Sequence, residues 1–590
     1  MIVRGASRWL LRRATVALLC ILAVVVLGPT GAGAQQPERV EKLTIATEAD
    51  KGNLTPYSFR PPPGVHSEMV GLIYDTLFLH PYTEEPIPWL ATEASANADA
   101  TTWTVKLRDD VTWHDGEEFT AEDVAFTYDY YRDGPPNRYT HHASDVPVVE
   151  SAEALDATTV EFTCERPCPT LDLVTLADLP ILPRHIWEDV EDPQTYTELP
   201  VGTGPYKLAE YMEDRSYRFE ANEDYFLGPP AVREIEMPIV PDPQSTFLAL
   251  QNGQVQTATR PAPPELQERI GGARDVETVE GKRFSSIFFR FNAERPPLDQ
   301  PEFRRALDMA INRQALVDTV LLGRGRPGSP SFMHPDSRWF EPQEAAFDPE
   351  QAGAVLDETG ITDSDGDGTR EYEGEPVSLS VIVPANDPLQ IRTAEIVAQQ
   401  LREVGIELRP ESLDPGTLSQ RQNALDFELA SFQGVPHLLG DPTQMIESLA
   451  SLLFYSNPEY EGLREEWFEA PTVEQQDETL REIQRLFAED PPAFTLYYPD
   501  TTYAYNSSAY SGWIPVEGHG IFNKWSFIPE ASERLRVETV AQRSAPAPAE
   551  EPGGRTTLYV LLGAGAVVLL AFAVFLLRRR SARGSNEDRI

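Results

Sequence analysis

Apolar and polar positions alternate with period two in five short runs: Leu43–Thr47, Trp103–Arg108, Thr159–Thr163, Tyr217–Glu220 and Ile235–Val240. That period belongs to half-buried strands. Elsewhere it lengthens to that of an amphipathic helix. The clearest case is Pro301–Leu322, where Phe303, Ala306, Leu307, Ala310, Ile311, Val317, Val320 and Leu321 form one apolar stripe and Gly323 supplies the stop. The stripe reads as core rather than as a cofactor box. Pro349–Glu358, capped by Gly360, reads as another helix. Leu379–Val383, Ile391–Val404 and Ile406–Arg409 read as strand, helix and strand, which predicts a parallel pair with a right-handed crossover. The class is α/β or α+β. At 590 residues the chain is too long for one ordinary core, and several domains are expected.

The two ends depart from this pattern. Arg4, Arg8, Arg12 and Arg13 precede the apolar run Ala14–Leu27, and the small residues Ala32–Ala34 follow it, so 1–34 reads as an export signal. Cys20 lies inside that run and reads as part of the signal. At the other end, Leu558–Leu577 is twenty residues without a charge, followed by Arg578, Arg579 and Arg580. It predicts a transmembrane helix over 557–577, a proline-rich linker over 544–556 before it and a cytoplasmic tail over 578–590 after it. The body is then expected outside the cytoplasmic membrane, periplasmic or at the cell surface, anchored by one C-terminal helix.

Charge narrows the partners. The chain carries 49 basic and 94 acidic residues; dropping 1–34 and 555–590 removes ten basic and two acidic and leaves 39 against 92. Nucleic acid is a poor partner for such a field. Six of the basic residues are lysines, a composition that fits a saline habitat. Outside the cell, Cys164 and Cys168 read as a short-loop disulfide, since no second cysteine pair or closely spaced histidine pair completes a zinc site.

Catalytic motifs are missing from the sequence: there is no Gly-x-Ser-x-Gly elbow, no His-Glu-x-x-His and no phosphate-cradling glycine loop. His141 and His142 read as exposed loop residues. One acidic loop starts as a calcium hand does, with Asp363, Asp365 and Asp367 at ligand positions and Gly368 at the sharp turn. The closing glutamate is replaced by Gly374, and a helix and a strand flank the loop where two helices should. It therefore reads as a solvated acidic turn, with a structural calcium site as the alternative. No enzyme activity and no cofactor are expected.

Several segments, in order, resemble family 5 of the extracellular solute-binding proteins, which deliver dipeptides, oligopeptides, nickel complexes and some sugars to ABC importers. They are Ile73–Phe78, Leu107–Tyr128, Ile181–His185, Val201–Tyr206 and Phe291–Asn292 through Arg304–Arg313. The block at 107–128, LRDDVTWHDGEEFTAEDVAFTY, is the most specific. Its own chemistry reads as structural: His114-Asp-Gly116 as a turn, Thr120 and Asp123 as a capping box, and Gly202, Gly204 and Pro205 as a chain reversal.

The resemblance implies a two-lobed fold of the periplasmic-binding-protein kind. Lobe one would combine 35–65, 200–284 and 495–543, with an extra domain, 66–199, inserted in it; lobe two would be 285–494. It implies a peptide or small polar ligand between the lobes, and an ABC permease and ATPase supplied as separate chains. The protein itself would be a monomer. The alternative is a receptor on the same fold that signals through a partner. In peptide-binding relatives an aspartate three residues before an Asp-Pro pairs with the ligand's free α-amine. If Asp441-Pro442 matches that Asp-Pro, the anchoring position here holds Leu438, so simple dipeptides are expected to bind poorly. Asp441, His437 and Gln433 would offer polar contacts, and Phe432, Trp513 and Trp525 would line the cleft.

Overall fold

The structure is a computed structural model that describes residues 39–540, apart from short stretches at 59–64, 80–85, 136, 138, 140–148, 282–284, 344–346, 435–441, 443–445, 447–454, 517–519, 530 and 536–538. Three larger sheets organise it. A seven-stranded sheet runs in the order Val276–Gly281, Thr501–Asn506, Thr257–Ala258, Val40–Ala46, Val232–Pro238, Ser216–Ala221, Tyr206–Met212. A six-stranded sheet runs Gly325–Pro327, Ala493–Pro499, Ser286–Phe291, Leu429–Gly434, Ser378–Pro384, Glu407–Leu413. The third, four-stranded and antiparallel, is built from 91–164 alone.

The five alternating runs all fall on strands of the first and third sheets. Ser378–Pro384 and Glu407–Leu413 pair in parallel, joined by the helix Pro388–Glu403, as the strand-helix-strand pattern requires. The chain passes between the two large sheets at Asp500, since Ala493–Pro499 belongs to the six-stranded sheet and Thr501–Asn506 to the seven-stranded one. Ser286–Phe291 is buried at every residue, because it is a central strand with both faces covered.

The stripe over 301–322 forms two helices, Pro301–Met309 and Arg313–Val320. The break has a local cause: the Asn312 side chain accepts from the Ala315 N–H (2.9 Å) and so caps a new helix where continuing the old one would leave it idle. Arg313 spans the break to the Asp308 carboxylate and also donates to the Thr495 carbonyl at 2.7 Å.

The transmembrane helix expected over 557–577 is not supported, and the α/β, two-lobed assignment stands without it. Among the described residues no helix is long and apolar enough to cross a membrane. The longest, Val473–Glu489, has 17 residues and is amphipathic, with charged positions throughout its outer face. Residues 557–577, like the signal at 1–34, the linker at 544–556 and the tail at 578–590, lie outside the described residues.

Candidate functional site

Three of the motifs read from the sequence converge on one place. The helix His66–Ile73 buries Met69, Val70, Leu72 and Ile73 and ends at Tyr74, so Asp75 is carried directly into the interior. Gly204 N–H donates to the Ile73 carbonyl at 2.7 Å. A Cβ on Gly202 would stand 2.0 Å from that same oxygen, and one on Gly204 would stand 2.6 Å from it, so the approach admits only glycine at both positions. The His114 ring closes the arrangement: its Nδ1 accepts from the Gly202 N–H (3.3 Å) and its Nε2 donates to the Gly204 carbonyl (2.9 Å). Burial pushes the imidazole down to about 4, with Lys207 adding to the effect, so it is neutral at ordinary pH. His114 is a wedge between turns.

Asp75 is the centre of a buried polar cluster. One carboxylate oxygen accepts from Trp89 Nε1 (2.8 Å), the Tyr225 hydroxyl (3.3 Å) and Lys524 Nζ (2.6 Å); the other accepts from the Thr203 hydroxyl (3.1 Å). The Lys524 and Asp75 side chains are 8% and 0% exposed, so this ion pair is shielded from water. Removing one partner of such a pair costs about 3–5 kcal/mol.

Beside the cluster lies a half-open cavity of about 100 Å³. Glu68, Tyr74, Tyr139, Asp178, Lys524 and Trp525 give it aromatic walls with polar groups set among them. That composition suits a solute with both an apolar face and hydrogen-bonding groups.

The expected binding residues are distributed as follows. Trp525 lines this cavity. Phe432 and Gln433 are neighbours near the end of strand Leu429–Gly434 in the other large sheet; Phe432 stacks on Phe288 with ring centroids 5.7 Å apart, and Gln433 is exposed. Trp513, expected in the cleft, is fully enclosed and packs edge-on against Tyr510 and Phe527, so it belongs to the core. His437, Leu438 and Asp441 lie outside the described residues, as do His141 and His142.

Cys164 and Cys168 are joined as a disulfide, and the Trp103 indole donates to the Cys168 carbonyl at 3.2 Å. In the acidic loop, Asp363, Asp365 and Asp367 each place an oxygen within 4.8 Å of the others and of a fourth carboxylate, Glu371, which the sequence reading passed over while looking for a closing residue at 374. Asp363 accepts from Gly366 and Gly368, Asp365 from Asp367, and Asp367 from Thr369, so each of these aspartates also satisfies the loop's own backbone.

Sequence reading missed Lys524 and Asp75. The signal available was a lysine inside Ile521–Ile528, a run of three aromatic and two aliphatic residues with Asn523 and Ser526 as its other polar members, in a chain with only six lysines. A charge in such a run is buried only with a partner.

Comparison with known proteins gives a consistent picture. The chain is 29% identical over 486 residues to Protein XP55 of Streptomyces lividans, covering 79% of this chain and 85% of the relative. It is 25% identical over 418 residues to the oligopeptide-binding protein AppA of Bacillus subtilis, covering 68% and 75%. Among solved structures, the ABC transporter substrate-binding protein CtaP of Listeria monocytogenes superposes with a TM-score of 0.73 at 25% identity, over 83% of this chain and 99% of that one. Residues 85–453, more than half of the chain, match the model described as bacterial extracellular solute-binding proteins, family 5 middle, and the protein therefore belongs to family 5 of the bacterial extracellular solute-binding proteins.

Proposed function

We propose that this protein captures a peptide or a similar small polar solute between its two lobes and delivers it to an ABC import permease whose membrane and ATPase subunits are separate chains. Family membership supports the transport role, and the name of the Bacillus subtilis relative supports a peptide-like solute. Family membership is the observation that carries the reading; the half-open cavity walled by Trp525, Tyr74 and Tyr139 and bordered by the Lys524–Asp75 pair, lined wholly from 67–180 and 523–525, supports it on the lobe-one side. That cavity offers apolar contact area and directional hydrogen bonds.

Closure of such lobes is a hinge motion that a solute favours by binding the closed form more tightly. Phe432 and Gln433 on the six-stranded sheet, with Asp441 and His437 beyond them, would supply the second wall. With Leu438 where peptide-binding relatives carry an aspartate, a longer or amino-blocked peptide, or a sugar, fits better than a free dipeptide.

Native mass spectrometry of the purified protein, followed by calorimetry with free dipeptides, N-acetylated peptides and oligosaccharides, tests this. A copurifying solute and binding of a blocked peptide or sugar are expected. Micromolar binding of an unmodified dipeptide, abolished by N-acetylation, overturns the ligand class; an absence of binding to every member of the panel overturns solute capture.

A further inference from the structure

The ammonium of Lys524 has three N–H donors. Among the described residues its hydrogen-bond acceptor is a single oxygen of Asp75, and that carboxylate is already served by Trp89, Tyr225 and Thr203. The Trp89 ring covers another side of the ammonium, its centroid 5.3 Å from Nζ. What is left borders the cavity, together with Thr76, Asn523 and Trp525. A side chain 92% removed from water needs an acceptor for its remaining donors, and the cavity is where one can enter.

We propose that Lys524 contacts the captured solute directly, donating to an uncharged oxygen, an amide carbonyl or a hydroxyl, of a residue-sized unit seated against Trp525. This rests on the solute-capture reading above and adds the chemistry of one end of the solute. The preference for a neutral acceptor follows from Asp75: the charge of Lys524 is already matched at contact distance, so an entering carboxylate gives up its hydration without gaining an unmatched cation. Donor groups of the same unit find acceptors on Glu68 and Asp178, which share the lining; an ionised carboxylate offers about four lone-pair sites, so it can accept from more than one donor. The cavity, about 100 Å³, has room for one such unit. A peptide amide and a sugar ring carry the same chemistry, and the experiment separates them.

The test is affinity selection with mass spectrometry on the full chain, offered three equimolar pools: N-acetylated, C-amidated tetrapeptides; neutral hexasaccharides; and tetrapeptides with free termini. Wild type, Lys524→Met and the double variant Lys524→Met/Asp75→Asn are compared, and each is melted without solute. The double variant removes both charges, so it recovers stability that the single variant loses by burying an unpaired carboxylate. The proposal expects selection from one of the two neutral pools, the pool naming the source, and at least a tenfold loss of that selection in both variants while the melting temperature recovers in the double. Recovery of selection together with stability would make Lys524 a structural residue only and overturn the proposal, as would selection unchanged in Lys524→Met. Selection confined to the free-terminus pool overturns the neutral-acceptor chemistry and leaves solute capture standing; selection from no pool overturns both.

Discussion

Arg166 Nη1 lies 3.7 Å from a carboxylate oxygen of Glu465, joining the loop closed by Cys164–Cys168 to the helix Pro458–Glu469. The loop follows the last residue of a strand in the four-stranded sheet; the helix packs through Trp467 and Phe468 with Phe288 of the six-stranded sheet. The pair therefore bridges two bodies that share no strand. Both side chains are exposed, so its worth is small, about 0.2–1 kcal/mol. Arg166→Glu should shift the opening equilibrium, read by fluorescence transfer between dyes on the two sheets, by up to about fivefold, and Glu465→Arg in the double variant should restore it. A charge-swapped pair that fails to restore the distribution removes the bridge from any account of closure.

His114 gives a pH signature. Its folded value is about 4, below the ordinary histidine value of 6.5, so between those limits the unfolded chain binds a proton that the folded one refuses. Its contribution is complete above pH 6.5 and is lost as pH falls toward 4, by up to about 3 kcal/mol. Asp172, pushed up to about 6 by burial, has the opposite sign and gains stability on acidification. Denaturant curves of wild type and His114→Gln at pH 7 and pH 4.5 isolate the histidine: the variant should lose less stability on acidification. Equal losses would place His114 outside the acid response.

Gly202→Ala should be severely destabilising, since its Cβ would lie 2.0 Å from the Ile73 carbonyl oxygen and the helix end cannot retreat without releasing Asp75. A cost of about 3 kcal/mol or more is expected. Gly71→Ala, in the helix just before it and with nothing within 4 Å of its Cβ, should be neutral or stabilising by up to about 1 kcal/mol. Urea titration of the two variants should show opposite signs; similar midpoints would dissolve the close-approach argument.

The acidic loop is expected to behave as a self-capped turn. Chelator should leave the melting temperature unchanged, and Asp365→Ala, whose carboxylate accepts from Asp367 N–H at 3.1 Å on an exposed loop, should cost less than about 1 kcal/mol. A resident cation at a hundredfold excess over its dissociation constant would instead add about 2.7 kcal/mol. Calcium-dependent melting that vanishes in Asp365→Ala would establish a metal site with Glu371 as its fourth carboxylate.

What the sequence revealed and what it hid divide along physical lines. Half-buried strands announce themselves by alternation, and all five runs read this way fall on strands, although the partly buried strands Val149–Asp156 and Tyr206–Met212 were passed over. Ser286–Phe291 and Ala493–Pro499 are buried on both faces, lose the alternation and carry no period to read. The stripe over 301–322 was correctly apolar, yet its period could not reveal a side chain at Asn312 that recaps the helix. Trp513 and Trp525 look alike in sequence; only packing makes one core and the other cavity wall. Local motifs such as the Thr120–Asp123 capping box were legible because both partners sit within one turn.

The Asp75–Lys524 link joins residues 449 positions apart, and Val40–Ala46, the first described strand, shares its sheet with Thr501–Asn506, the last. An early half of the chain thus holds a carboxylate destined for the interior and a sheet lacking the strand that covers one side of Thr257–Ala258. Neither is completed until nearly all of the chain has been made. The order of synthesis and the order of folding are therefore opposed in this half, and its early contacts must stay loose enough to admit the final segment. A chain cut short before residue 500 would not yield a smaller binding protein; it would keep a first sheet unable to close and an unmatched charge at its centre.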